Sequence, residues 1–135
     1  MRENAGRVTE TELAVLKLLW SRGASTIRQL TDRLYPGGGA SHYATVQKLL
    51  ERLEAKGCVR CARQERVNVY SSAIGRTDLI ARRLRETADQ LCDGSLTPLL
   101  THLVGSRELS HEELAALRDL VERLDDDPAA EEEAR

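Results

Sequence analysis

Residues 41–72 read SHYATVQKLLERLEAKGCVRCARQERVNVYSS. Val46, Leu49, Leu50 and Leu53 recur at helical spacing, which predicts an amphipathic helix capped by Ser41 or His42, with Gly57 as its left-handed stop. Cys58–Arg63 and Val67–Ser72 then alternate as short strands do, on either side of the charged turn Gln64-Glu65-Arg66. A helix, a glycine stop and a β-hairpin, in that order, is how a winged helix-turn-helix domain ends. The helix of that unit enters the DNA major groove.

The upstream residues supply the rest of such a domain. Thr9 to Glu12 and Thr26 to Gln29 are capping boxes, in which a Thr hydroxyl and an acidic or amide side chain satisfy each other's backbone amides. The first opens a helix carrying Leu13, Leu16, Leu19 and Trp20, broadened by Val15 and Leu18 and ended by Gly23. The second opens a helix with Ile27, Leu30 and Leu34 on one face. Tyr35-Pro36-Gly37-Gly38-Gly39 cannot continue that helix and supplies a turn.

Downstream the pattern changes. A fourth helix capped by Thr77 carries Leu79, Ile80, Leu84, Ala88 and Leu91. A fifth from Ser95 carries Leu96, Leu99, Leu100, Leu103 and Val104, with Pro98 tolerated in its first turn. Ser110 to Glu113 is a third capping box, opening a helix with Leu114, Leu117, Leu120, Val121 and Leu124. Three short helices bury too little surface to stand alone, and pairing them across a two-fold axis is the economical solution. Leu84, Leu91, Leu99, Leu100, Leu103, Leu117, Leu120 and Leu124 are the expected dimer contacts. The expected fold is mainly α with a small β-hairpin. It comprises a winged helix-turn-helix domain over residues 8–75, a three-helix dimerisation module over 76–124, and an acidic, disordered tail over 125–135.

Charge follows the same division. Residues 1–75 hold 12 Lys+Arg against 7 Asp+Glu, while residues 76–135 hold 8 against 15. The basic half suits a polyanion, and the acidic half has another task. No apolar run reaches 18 residues and the N-terminus lacks the apolar stretch of a signal peptide, so a cytoplasmic protein without membrane insertion is expected. Three cysteines, an odd number, argue against a disulfide framework. Cys58 and Cys61, three apart on a strand, point to opposite faces, and Cys92 lies in another module. Small buried or semi-buried thiols are the favoured reading, and neither a metal site nor a cofactor is expected. His42, His102 and His111 are scattered and no nucleophile-and-base arrangement appears, so no enzyme is expected.

The residues left exposed on the third helix are the candidates for reading DNA. Ser41, His42, Tyr43, Thr45 and Lys48 occupy its entering turns, Gln47 can pair bidentately with adenine, and Arg52 suits guanine or phosphate. The wing adds Arg60, Arg63 and Arg66, and the second helix adds Arg28 and Arg33 with Thr26 at its amino end. These suit phosphates, which fix register without specifying sequence.

With these elements placed, the chain resembles the penicillinase-repressor family, the BlaI/MecI/CopY type of bacterial regulator. TETELAVLKLLW, YATVQKLLERLEAKGCV, VNVYSS and DGSLTPLLTHLVGSRELSHEELAALRDLVERL carry the resemblance, across roughly residues 8–124. The resemblance implies a homodimeric repressor that covers a palindromic operator in double-stranded DNA and is released by a signal. In the antibiotic-responsive branch a membrane receptor-protease senses β-lactam and the repressor is cut within the fifth helix at an Asn-Phe pair, so the resemblance implies a membrane receptor-protease or another regulatory protease as a partner. The matching position here carries His102-Leu103, which makes it a candidate cleavage site without that motif. The copper-responsive branch uses repeated Cys-x-Cys pairs near the C-terminus, and this chain has none. The competing readings are a winged helix that binds protein instead of DNA, and a redox- or metal-responsive regulator.

Overall fold

The computed structural model describes residues 7–126. In chain order these form α1 (Glu10–Arg22), β1 (Ser25–Thr26), α2 (Ile27–Leu34), α3 (Ala40–Ala55), β2 (Val59–Gln64), β3 (Val67–Ser72), α4 (Arg76–Leu91), α5 (Thr97–Gly105) and α6 (His111–Asp125). Three helices followed by a hairpin wing make a winged helix-turn-helix fold, and three further helices follow it. The chain divides into two compact units, one ending at Ala81 and the other beginning at Arg82.

All three capping boxes form, at Thr9/Glu12, Thr26/Gln29 and Ser110/Glu113. Other helix starts differ from the sequence reading. Helix α3 begins at Ala40 after Gly39, with no side-chain cap, so Ser41 and His42 lie inside its first turn. The His42 ring is used elsewhere, with its centroid 4.7 Å from that of Tyr35. Its Nδ1 would lie only 2.8 Å from a Cβ at position 38, so only glycine fits there. Helix α4 begins at Arg76, and the amide of Gly75 donates to Asp78 Oδ2 at 3.0 Å, so Asp78 serves that end where Thr77 was expected. Helix α5 begins two residues after Ser95, whose Oγ accepts from the Thr97 amide at 3.3 Å.

Gly57 stops α3 as expected. Its φ is 77°, its amide donates to Glu54 O at 3.0 Å, and the Cys58 amide donates to Leu53 O at 2.8 Å. These two bonds are a Schellman motif, which satisfies the helix's last carbonyls and turns the chain directly into β2.

The wing is larger by one strand than the hairpin read from sequence. Strand β1 pairs antiparallel with β3 (Ser25 with Tyr70, Thr26 with Val69), giving the order β1-β3-β2. Two residues are too few to show alternation, so nothing in the local pattern signals this strand. Its effect is large, because it fixes the amino end of α2 beside the wing.

The first unit's core gathers Val15, Leu16, Leu19, Ile27, Leu30, Val46, Leu49, Leu50, Leu53, Val59 and Tyr70. Trp20 packs at its edge, and its indole N–H donates to Ser72 Oγ at 3.0 Å and Ile74 O at 2.9 Å. That joins the end of α1 to the chain leaving β3.

Glu12 is fully buried. Its Oε1 accepts from the Thr9 amide at 2.9 Å and from Lys56 Nζ at 2.6 Å, and the same Nζ donates to Arg7 O at 2.6 Å. Lys56 caps the C-terminal end of α3, so this cluster pins that end to the start of α1. Burial raises the Glu12 pKa. The Lys56 and Thr9 hydrogen bonds and the Lys56 charge outweigh this and hold the carboxyl below its ordinary value of 4.5.

The second unit is packed differently. Among its described residues only Ala88 is buried, while Leu84, Leu91, Leu100, Leu103, Val104, Leu120, Val121 and Leu124 are exposed in the single chain. Leu99 and Leu117 are half-buried. Helix α6 extends to Asp125, and the expected acidic tail lies outside the described residues from position 127 onward.

Candidate nucleic-acid interface

The pairing of β1 with β3 and the path of α3 create a groove of about 380 Å³. Thr26, Ile27 and Arg28 line it from the amino end of α2, Tyr43 and Gln47 from α3, and Arg63, Arg66, Val67 and Asn68 from the wing. Among the described residues no acidic side chain lines it. Six residues read from the sequence as DNA contacts (Thr26, Arg28, Tyr43, Gln47, Arg63 and Arg66) thus meet in one concavity.

Local geometry explains the meeting. Arg63 and Asn68 are direct cross-strand partners, so their side chains share a face of the wing. Arg66 sits at the tip, where Glu65 and Arg66 both adopt left-handed conformations with φ of 46° and 70°. Two such residues between paired Gln64 and Val67 are a type I′ turn, normally built from Asn and Gly. Arg28 leaves the first turn of α2 with its Cζ 5.6 Å from the centre of the Tyr43 ring. Tyr43 is half-buried and packs against the core.

The remaining candidates lie outside this groove. Ser41, Thr45, Lys48 and Arg52 are exposed on α3. The Thr45 hydroxyl donates to Ser41 O at 3.0 Å, which leaves its methyl and an oxygen lone pair for a partner. His42 is half-buried against Tyr35, with Nδ1 enclosed. Arg60 is exposed, but it sits three residues before Arg63 on β2 and therefore on the opposite face of the wing. Arg33 is exposed near the end of α2. His102 and Leu103, the candidate cleavage pair, are both exposed within α5.

The sequence reading missed Ile27, Val67 and Asn68 as groove-lining residues. Asn68 was the recoverable one: once the hairpin register is set, the partner of Arg63 must share its face.

Behind the groove, Tyr70 is core. Burial pushes its hydroxyl up to about 12, helped by a hydrogen bond with Cys61 and by the negative charges of Glu54 and Glu51, so it stays neutral. Cys58 is buried, Cys61 exposed and Cys92 intermediate, and no disulfide joins any of them. Among the described residues no group of three His, Cys, Asp or Glu side chains is placed to hold a metal ion. No described helix is long and apolar enough to cross a membrane.

Comparison with known proteins places this architecture. The family model for penicillinase repressors matches residues 8–123. The transcriptional regulator BlaI of Mycobacterium tuberculosis is 32% identical over 121 residues, covering 88% of this chain and 86% of that protein. The penicillinase repressor of Bacillus licheniformis is 25% identical over 116 residues, covering 86% and 90%. A structure of Lactococcus lactis ZitR aligns over 93% of this chain and 86% of its own, at 20% identity and a TM-score of 0.43. The three-helix-and-wing unit, its basic groove and the match across nearly all described residues lead to one conclusion: the chain belongs to the penicillinase repressor family of transcriptional regulators.

Proposed function

We propose that this regulator represses transcription as a homodimer, with its two winged units on the halves of a palindromic operator. The observation that carries this reading is the groove where Arg28, Arg63 and Arg66 converge beside Gln47 of α3, with no acidic side chain among its described lining residues. In this reading the exposed face of α3 enters the major groove. Gln47 and the Thr45 methyl address base edges, while Ser41, Lys48 and Arg52 contact bases or flanking phosphates. Arg63 and Arg66 hold the backbone or the minor groove beside it, and Thr26 and Arg28 hold the backbone at the amino end of α2.

The exposed leucines of α4, α5 and α6 support the dimer. A second copy of the same helices would remove this apolar surface from water, and two-fold pairing matches two half-sites. Repression is then steric, and an inducing signal releases the operator. Cleavage at His102-Leu103 would divide the paired helices. A protease acting there would need a different specificity from one that cuts Asn-Phe.

The division of labour in the groove predicts two different losses. Arg66→Ala should weaken binding to operator and random DNA by similar factors and lower the salt dependence by about one ion. Gln47→Ala should cost about 1–3 kcal/mol on the operator alone and relax preference at one base pair. Binding titrations on operator and scrambled duplexes across a salt series check both. Equal losses for the two variants on both duplexes would overturn these roles.

A further inference from the structure

We propose that Tyr43 is a positioning residue, holding the Arg28 guanidinium for a DNA backbone phosphate without reading a base itself. The proposal rests on the DNA reading above and assigns a role within that site. Tyr43 lies on the entering turns of α3, where a side chain would ordinarily be expected to reach base edges. Its environment points elsewhere. The ring is half-buried and packs against the core, and the Arg28 Cζ lies 5.6 Å from its centre.

Three features make Arg28 the group that meets the ligand. It is exposed, whereas Tyr43 is half covered. Among the described residues no carboxylate ion-pairs with it, and none lines the groove it borders. It also leaves the first turn of α2, next to Thr26, at the helix end whose dipole favours a phosphate.

A guanidinium held over an aromatic face keeps its N–H edges for an outside acceptor, and the ring's negative face attracts it. A long arginine loses considerable rotamer freedom when it is fixed on a ligand. Ordering Arg28 on Tyr43 before DNA arrives removes part of that cost. The pair thus acts as one contact built from two elements. It ties α3, which reads sequence in the proposed mode, to the amino end of α2, which reads backbone.

A double-mutant cycle with the full-length protein tests this, using operator and scrambled duplexes over a salt series. Tyr43→Phe keeps the ring and should restore the salt slope and most of the affinity that Tyr43→Leu loses. Arg28→Ala should weaken binding to both duplexes about tenfold and lower the salt slope by about 0.9. Tyr43→Leu should reproduce much of that loss on both duplexes, and the double variant should be no weaker than Arg28→Ala alone. Thermal unfolding checks that each variant folds, and Tyr43→Met replaces Tyr43→Leu if the latter does not. Multiplying losses in the double variant would overturn the proposal, as would a Tyr43→Leu that changes base preference while keeping the wild-type salt slope. The wild-type arm tests the underlying reading separately. A wild-type protein that shows neither operator preference nor salt dependence defeats the DNA reading itself, and the role of Tyr43 falls with it.

Discussion

Lys56→Met should lower the stability of the winged unit by about 3 kcal/mol, the low end of what losing one partner of a buried pair costs. The reason is what remains behind. Glu12 is fully buried, and its Oε2 has no hydrogen-bond partner among the described residues. Without the Lys56 ammonium 2.6 Å from Oε1, the carboxylate keeps its burial penalty and loses its counter-charge. The Lys56 side chain is 12% exposed, so a little water already reaches it, which argues for the low end of the range. Pairing Lys56→Met with Glu12→Gln should recover part of the loss, since the amide can still serve the Thr9 capping box. Chemical denaturation measures all three proteins. A loss under about 1 kcal/mol for Lys56→Met would mean that the pair is no better than a surface bridge.

The same pair gives stability a pH signature. Glu12 is held below 4.5 in the folded chain, so as acid is added the unfolded chain takes up this proton first. The contribution is complete above pH 4.5 and disappears as pH falls through the lowered folded value. Glu12→Gln should remove this component, so its stability should fall less steeply than that of the wild type below pH 4.5. Parallel acid-unfolding curves for the two proteins would contradict the assignment.

Leu100→Glu and Leu120→Glu should each separate the proposed dimer and weaken operator binding by about 10²-fold or more. Both side chains are exposed in the single chain, at 52% and 46%. The substitutions therefore remove little packing within one copy, and unfolding of the winged unit should shift by no more than about 0.5 kcal/mol. Their cost appears in assembly, where a charge would be buried against leucines of the second copy. Once the copies separate, each winged unit binds its half-site without the effective concentration supplied by its partner, a factor of about 10²–10⁴. Sedimentation equilibrium and operator titrations measure the two effects together. A monomeric variant with wild-type operator affinity would refute the coupling of dimer to operator.

The winged unit was largely legible because its signals are local. Capping boxes at Thr9 and Thr26, the stripe Val46-Leu49-Leu50-Leu53 and the stop at Gly57 each specify an element from a few neighbouring residues, and the structure contains all of them. Features set by distant partners were not legible. Strand β1 exists because Ser25 and Thr26 meet β3 across more than forty residues. Glu12 reads as a cap, and its second role depends on Lys56, 44 positions away. The start of α3 was misplaced because a serine beside a glycine run looks like a cap, whereas the turn through Gly38 and the Tyr35–His42 contact begins the helix earlier. Site composition was readable from exposed positions on α3 and the wing. Which members converge was not, because that depends on hairpin register and on where β1 anchors α2.

In the proposed complex the groove formed by α2, α3 and the wing belongs to a dimer on a palindromic operator. Genomic DNA captured by the full-length protein at near-physiological salt, followed by footprinting of the best fragment, is the decisive test of that complex. Two protected half-sites related by a two-fold axis are expected, with centres about one helical turn apart or a multiple of it. Protection should vanish in Leu120→Glu at concentrations that saturate the wild type. Diffuse protection that follows salt alone and shows no paired half-sites would defeat the proposed complex.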